Sequence, residues 1–136
     1  MKRLFFALFI LFSGYLGAQD WAAFTDSIPT LSSPRSTDLN GDGMMDVVIG
    51  GGTDGLFSNN GIMAYNGVDG SLLWKRPSRD EVFGSAIFQD ITSDGINDVI
   101  IVGRSAQLLA IDGSSGTLLW DYINNPIDTG LYNFYN

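Results

Sequence analysis

The sequence predicts an all-β protein built from a repeated unit of four antiparallel strands. Two observations carry the prediction. An Asp-rich loop of nine residues occurs at 38–46 and again at 90–98, and a segment that ends in Trp recurs after 46 residues, at 61–74 and 107–120. Beyond residue 19, apolar residues show no sustained helical spacing, and the helix formers Glu and Lys are scarce.

The N-terminal segment 1–19 has the layout of a secretory signal peptide. Basic residues at 2–3 precede an apolar stretch at 4–16, and small residues follow at 17–18. The apolar stretch has 13 residues, whereas a spanning helix needs roughly 20. We therefore expect an exported protein, secreted or held at the cell surface, with no membrane span in the mature chain.

The composition of the chain excludes several kinds of binding partner and catalytic or metal site. Without Lys2 and Arg3, five basic residues remain against fifteen acidic ones, a net charge of −10 that argues against nucleic acid as a partner. The chain has no Cys and no His, which excludes disulfides, thiolate metal sites and histidine-dependent triads. Fourteen acidic residues are Asp, and six of these lie in the two loops. Short carboxylates suit tight turns and metal loops.

Each loop has the oxygen pattern that calcium requires: oxygen side chains at positions 1, 3, 5 and 9, Gly at 6 and a free carbonyl at 7. The ligands predicted in the first loop are the side chains of Asp38, Asn40, Asp42 and Asp46 and the carbonyl of Met44. Those predicted in the second loop are the side chains of Asp90, Thr92, Asp94 and Asp98 and the carbonyl of Ile96. The Thr92 hydroxyl is expected to make the second site weaker.

Two other structures, the helical calcium hand and the plain hairpin turn, also contain Asp- and Gly-rich sequences. The helical calcium hand needs a bidentate Glu at position 12, where this chain has Ile49 and Ile101, so that motif is excluded. Asp-Gly pairs also form plain hairpin turns. Three carboxylates within nine residues repel one another, however, and the arrangement occurs twice at equivalent points of the repeat. We therefore favour calcium over a plain turn.

The strands follow from short β-rich segments around each loop. The second unit, at about 83–122, is predicted to have strands at 83–89, 98–102, 107–112 and 117–122. The first unit, at about 32–75, repeats this plan with strands at 46–49, 62–66 and 71–75. The loops repeat after 52 residues and the Trp segments after 46, so we expect a surface insertion at 53–60 in the first unit.

The three Trp residues provide a second measure of the period. Trp21 precedes the first loop by 17 residues and Trp74 precedes the second by 16. We expect Trp21, Trp74 and Trp120 each to end an outer strand and to pack on a neighbouring unit as a core residue. Gly51 and Gly52 lack the helix start and Lys of a phosphate-binding loop, so we expect a turn or close strand approach there.

A period near 50 residues with turns inside each unit is typical of a β-propeller. Residues 20–136 would then be N-terminal propeller repeats, comprising about two blades, flanking strands and the start of a third unit at 128–136. Since a propeller closes with about four to eight blades, we expect a partial propeller whose remaining blades belong to a longer chain. In that arrangement Trp21 completes the last blade. A complete chain would instead need to oligomerise.

The two motifs resemble two propeller families. The loops with their following strands, 38–50 and 90–103, resemble FG-GAP or VCBS-type repeats of integrin-like propellers, with Phe83-Gly84 in the place of their Phe-Gly pair. The first unit departs from this pattern at 32–34. Segments 64–74 and 110–120 resemble the tryptophan-docking motif of quinoprotein (PQQ-like) propellers. These resemblances imply calcium-binding blades, and neither specifies an activity.

The leading hypothesis is a secreted or cell-surface, calcium-stabilised β-propeller that acts as a binding or adhesion scaffold for an unidentified protein or glycan. No catalytic residue stands out, so we expect a protein that is not an enzyme. The alternative is the N-terminal part of an extracellular propeller enzyme, either a quinoprotein oxidoreductase or a calcium-dependent polysaccharide lyase.

Overall fold

The computed structural model describes residues 21–25, 27–105 and 107–122. Within these ranges all regular secondary structure is β, as predicted. The strands are β1 Arg35–Thr37, β2 Asp46–Gly50, β3 Ser58–Tyr65, β4 Leu72–Ser78, β5 Ile87–Gln89, β6 Asp98–Gly103, β7 Gln107–Ile111 and β8 Leu118–Tyr122. The predicted signal peptide and third unit lie outside the described ranges. The part described contains no helix with the length and apolarity that crossing a membrane requires.

The strands form two four-stranded antiparallel sheets, in the orders β1-β2-β3-β4 and β5-β6-β7-β8. We call them the first and second blades. Their registers correspond, since Ala64 pairs with Trp74 in the first blade as Ala110 pairs with Trp120 in the second. Two consecutive meander sheets of this kind are consistent with part of a β-propeller.

The apolar strand after each loop forms the centre of its blade. Both β2 and β6 are rich in Val and Ile, which favour extended backbone because their branched side chains fit a pleated surface. Val48 and Val99 are 1% and 0% exposed. They belong to one hydrophobic cluster that also includes Leu39, Trp74 and Val82, so the core runs from the first blade through the connecting segment into the second.

The segment between the blades differs from the prediction of a strand at 83–89. Only Ile87–Gln89 is a strand. The backbone of residues 81–82 makes hydrogen bonds to a hairpin of each blade. The Val82 amide donates to the Gly51 carbonyl at 3.0 Å, and the Glu81 carbonyl accepts from the Arg104 amide at 2.9 Å. Each backbone group needs a partner when it is buried, and here the partners hold a connector between two sheets.

The insertion predicted as a surface loop at 53–60 is partly strand, because β3 begins at Ser58 and pairs there with Ser78. Gly61 makes this close approach of β3 and β4 possible, since a Cβ at that position would lie 1.9 Å from Ser78 Oγ. A close approach also occurs at 51–52, but its partner is the non-strand segment around Pro29. A Cβ on Gly51 would lie 2.6 Å from the Pro29 carbonyl oxygen.

Trp74 joins the two blades. Its indole Nε1–H donates to the Gly113 carbonyl at 2.7 Å, and its ring lies on Gly116, where a Cβ would stand 2.7 Å from the ring. Trp21 repeats the contact one unit earlier, since Nε1 donates to the Gly67 carbonyl at 3.0 Å. Packing of these two Trp residues on a neighbouring unit is confirmed. Their expected position at the end of an outer strand is wrong, because Trp74 is the third residue of β4 and Trp21 lies in no strand.

Trp120 differs from the other two Trp residues. It is 42% exposed, whereas Trp74 is 7% exposed. The residues that follow β8 lie outside the described ranges, so the expectation of a buried Trp120 is not met by the part of the chain that the structure describes. Trp120 therefore marks a face of the second blade that its own sheet leaves uncovered.

Replacing Gly116 with Ala should weaken the junction between the blades. Gly116 and Gly55 have nearly equal backbone angles, φ of 71° and 74°, but a Cβ meets Trp74 at Gly116 and nothing within 4 Å at Gly55. Gly55→Ala should cost about 1 to 2 kcal/mol of unfolding free energy through backbone strain alone. Gly116→Ala should cost about 1 to 3 kcal/mol more through overpacking. Denaturant unfolding measures both, and equal losses would contradict the docking.

Candidate functional site

The first Asp of each loop closes the turn. Asp38 accepts from the Gly41 amide at 2.7 Å and from the Gly43 amide at 2.9 Å. Asp90 accepts from the Ser93 and Gly95 amides at 2.7 and 3.0 Å. The N–H of Gly43, opposed by partial desolvation and assisted by that of Gly41, lowers the pKa of Asp38 below its ordinary value of 3.8. Asp38 is therefore anionic at neutral pH.

Positions 3 and 5 bond to the loop backbone. In the first loop Asn40 Oδ1 accepts from the Asp42 amide at 2.9 Å, and Asp42 Oδ1 accepts from the Met44 amide at 2.8 Å. In the second loop Asp94 Oδ1 accepts from the Ile96 amide at 2.8 Å. The side chains at positions 3 and 5 are exposed in both loops, so the structure gathers them on the outer surface of the turn.

The Asp at position 9 is placed differently from the other predicted ligands. Asp46 is fully buried, at 0% exposed, and accepts from the Leu39 amide at 2.8 Å and the Gly67 amide at 2.9 Å. Asp98, also 0% exposed, accepts from the amides of Ile91, Thr92 and Gly113 at 2.8, 2.9 and 3.1 Å. The carboxylate itself thus ties each loop to the turn that follows β3 or β7.

The loop chemistry suits a hard cation, although no described group of three or more His, Cys, Asp or Glu side chains is arranged to hold a metal ion. All the predicted donors are oxygen. The ion pairs among described residues involve Asp54, Glu81 and Asp121, so no Lys or Arg of that part neutralises the loops. Carboxylate oxygens that accept one hydrogen bond keep a second lone pair for coordination.

A second polar cluster joins the insertion to the second blade. Asp80 Oδ1 accepts from the amides of Gly55 and Glu81, both at 2.7 Å, and Oδ2 accepts from the Ser105 hydroxyl at 2.7 Å. Burial raises the pKa of Asp80, but the hydrogen bonds from Ser105, Glu81 and Gly55 outweigh burial and lower it below 3.8. Arg104 reinforces the cluster through an ion pair with Glu81 at 2.8 Å.

A cavity of about 150 Å³ lies where β4 faces β7 and β8. Arg79 crosses this boundary, since its Nη1 donates to Asp121 Oδ2 at 2.5 Å and its amide donates to Gln107 Oε1 at 3.2 Å. Sequence reasoning did not select these residues. One available signal was the concentration of three of the five basic residues outside the predicted signal peptide at positions 75, 76 and 79.

Comparisons with known proteins agree with the fold. Residues 54–131, more than half of the chain, match a family described as FAM234A/B beta-propeller. Protein FAM234A of Mus musculus is 33% identical over 64 residues, which are 45% of this chain and 12% of the relative, so the matched part is a small share of that protein's length. No solved structure is a significant match. The family supports a propeller but not FG-GAP, VCBS or quinoprotein repeats specifically.

Acid should remove the stabilisation that Asp80 supplies. Because the folded-state pKa lies below 3.8, the contribution is complete above the ordinary, unfolded pKa and is lost as the pH falls through the folded value. Asp80→Asn retains an oxygen for the Gly55 and Glu81 amides but does not titrate. We expect its unfolding free energy to fall less steeply below about pH 4 than that of the unaltered protein.

Urea unfolding at a series of pH values measures this slope. Asp54→Asn is the matched control, because Asp54 is an exposed carboxylate in the same insertion and makes no contact with the Asp80 oxygens. Its ion pair with Arg104, at 3.4 Å, is solvent-exposed and contributes little to stability. The control should keep the slope of the unaltered protein. Identical acid slopes for Asp80→Asn and the unaltered protein would contradict the role of these hydrogen bonds.

Proposed function

Because this chain belongs to the FAM234A/B β-propeller family, we propose that it is a binding scaffold, secreted or at the cell surface, whose blades are stabilised by calcium. The observation that carries the proposal is the repetition of one oxygen-rich loop at the same corner of both blades, directly before β2 and β6. A loop that only forms a turn does not need three carboxylates, yet both loops have them.

The ligands at the first corner would be the side chains of Asp38, Asn40 and Asp42 with the Met44 carbonyl, which lie on the exposed turn. Asp46, which is buried below the turn, would coordinate the cation through a lone pair that its hydrogen bonds leave unused. At the second corner they would be Asp90, Thr92, Asp94 and Asp98 with the Ile96 carbonyl. A bound cation would supply the positive charge that the described Lys and Arg residues do not bring to these carboxylates.

The proposed mechanism is linkage between cation binding and folding. A cation that binds the folded loop and not the unfolded chain raises the unfolding free energy according to its concentration relative to its dissociation constant. Calcium sites in extracellular modules have dissociation constants of about 10⁻⁴ to 10⁻³ M. Such sites are filled outside a cell, where the predicted signal peptide would direct the protein.

A scaffold role is supported by the surface of the first blade. The insertion presents Leu56 and Phe57 at 59% and 65% exposed, and Met44 and Met45 of the first loop are 49% and 64% exposed. Exposed apolar side chains on loops held by a rigid sheet are typical of interaction sites. This surface would bind a protein or a glycan, the two kinds of partner expected from the sequence.

Calcium should raise the stability of the protein. With dissociation constants of about 10⁻⁴ to 10⁻³ M, about 10 mM calcium should add roughly 1.4 to 2.7 kcal/mol of unfolding free energy per site. Thermal and urea unfolding in calcium, in magnesium and in chelator measure the gain. Unfolding midpoints that are the same in all three solutions would contradict the proposal.

Two loop variants separate the cation from the hydrogen bonds. Asp42→Asn should lose the first loop's share of the calcium effect while keeping its stability in chelator. Asp46→Ala should be destabilised even in chelator, because the Leu39 and Gly67 amides lose their acceptor. Asp69→Asn, an exposed Asp outside both loops, should keep the full calcium effect. A full calcium effect in Asp42→Asn would exclude the first loop as the site.

A further inference from the structure

The cavity between the blades has unsatisfied polar atoms. Four buried side-chain atoms in the described part of the chain have no hydrogen-bond partner, and three of them belong to residues that line this one cavity: Ser78 Oγ, Arg79 Nε and Asp121 Oδ1. Buried polar groups are nearly always paired with protein, water or ligand. Such a concentration at one place points to a partner that the chain itself does not supply.

The three atoms differ in hydrogen-bonding character. Arg79 Nε only donates, Asp121 Oδ1 only accepts, and Ser78 Oγ can do both. The Arg79–Asp121 ion pair holds the first two side chains together across the blade boundary, and Ser78 is only 1% exposed. A complementary ligand must therefore both accept and donate hydrogen bonds over a short distance, as neighbouring hydroxyl groups do.

The insertion peculiar to the first unit adds an apolar wall to the same cavity. Phe57 is 65% exposed and lines the cavity together with Leu109 and Leu118. The insertion thus places an aromatic side chain on the same cavity as the residues that carry the unsatisfied polar atoms. Aromatic rings provide large, flat contact area, and the apolar face of a sugar ring can lie against such a surface.

We propose that this cavity binds one pyranose ring of a glycan. The proposal rests on the scaffold role given above and names its ligand class, but it does not depend on calcium. The volume of about 150 Å³ is of the size that accepts a six-membered ring. Arg79 Nε and Asp121 Oδ1 are buried atoms of side chains that are 32% and 21% exposed, so a small rotation of these side chains presents both atoms to two neighbouring ring hydroxyls. The apolar ring face then lies against Phe57.

A simple anion fits the cavity less well. Arg76 and Arg79 line it, which gives positive charge, but Asp121 carries the opposite charge and its free Oδ1 needs a donor. Inorganic phosphate keeps an O–H group at neutral pH, but its net negative charge is repelled by the Asp121 carboxylate. A neutral hydroxylated ring satisfies the donor and the acceptor together, so the hydrogen-bonding character of the cavity favours a sugar.

Saturation-transfer NMR and chemical-shift titration of the full chain test the proposal with methyl glycosides of glucose, galactose, mannose and N-acetylglucosamine. We expect at least one glycoside to bind with a dissociation constant of about 1 mM to 50 mM. Asp121→Asn should weaken binding roughly tenfold, because the single amide oxygen of Asn is drawn to Arg79 and an NH2 donor replaces the charged acceptor that bonds the ligand. Phe57→Ala should weaken it severalfold.

Matched controls make the result decisive. Phe24→Ala removes another exposed Phe, at 89%, that does not line the cavity, and should leave binding unchanged. If Asp121→Asn does not fold, Phe57→Ala against Phe24→Ala decides alone, because Phe57 is on an exposed loop. Titrations in calcium and in chelator separate this proposal from the calcium claim, since binding should persist in any condition where the protein is folded.

Three results would overturn the proposal. One is the absence of binding by every glycoside at about 50 mM, which would leave ordered water as the partner of the three atoms. Another is a glycoside affinity that neither Asp121→Asn nor Phe57→Ala reduces. The last is binding of inorganic phosphate in place of the glycosides, which would make the cavity an anion site.

Discussion

The arrangement of the two blades depends on the contact between an indole and a glycine turn. Trp74 lies in the outer strand of the first blade, β4, and its Nε1–H bonds to the Gly113 carbonyl while its ring covers Gly116. Any larger residue at these turns would displace the ring. The core that spans both blades, including Leu39 and Val82, is buried only when this contact sets the distance between the sheets.

Gly113 connects the second candidate metal loop to the junction between the blades. Gly113 accepts from Trp74 through its carbonyl and donates to buried Asp98 through its amide. Gly67 does the same with Trp21 and Asp46. Each unit therefore has a chain of contacts from loop carboxylate to turn to neighbouring Trp. Any cation that changes the charge or position of these carboxylates would act directly on the packing between units.

The sequence predicts the local features well. The shifts of 46 and 52 residues locate the Trp segments and the loops, and runs of β-branched apolar residues after the loops locate the central strands. It does not predict that Asp46 turns inward, because the Gly67 amide that receives it comes from a different hairpin. It also misses the pairing of Arg79 with Asp121, 42 residues apart. Both depend on how separate strands come together, which spacing along one strand does not encode.

Hydrogen exchange of the three indole Nε1–H groups, followed by NMR, tests the central contact most directly. If Trp74 is held between the blades as described, its indole proton should exchange much more slowly than that of Trp120, which is 42% exposed, with Trp21 also protected by Gly67. A Trp74 indole that exchanges as fast as that of Trp120 would contradict the account, because the two blades would then not be joined through this contact.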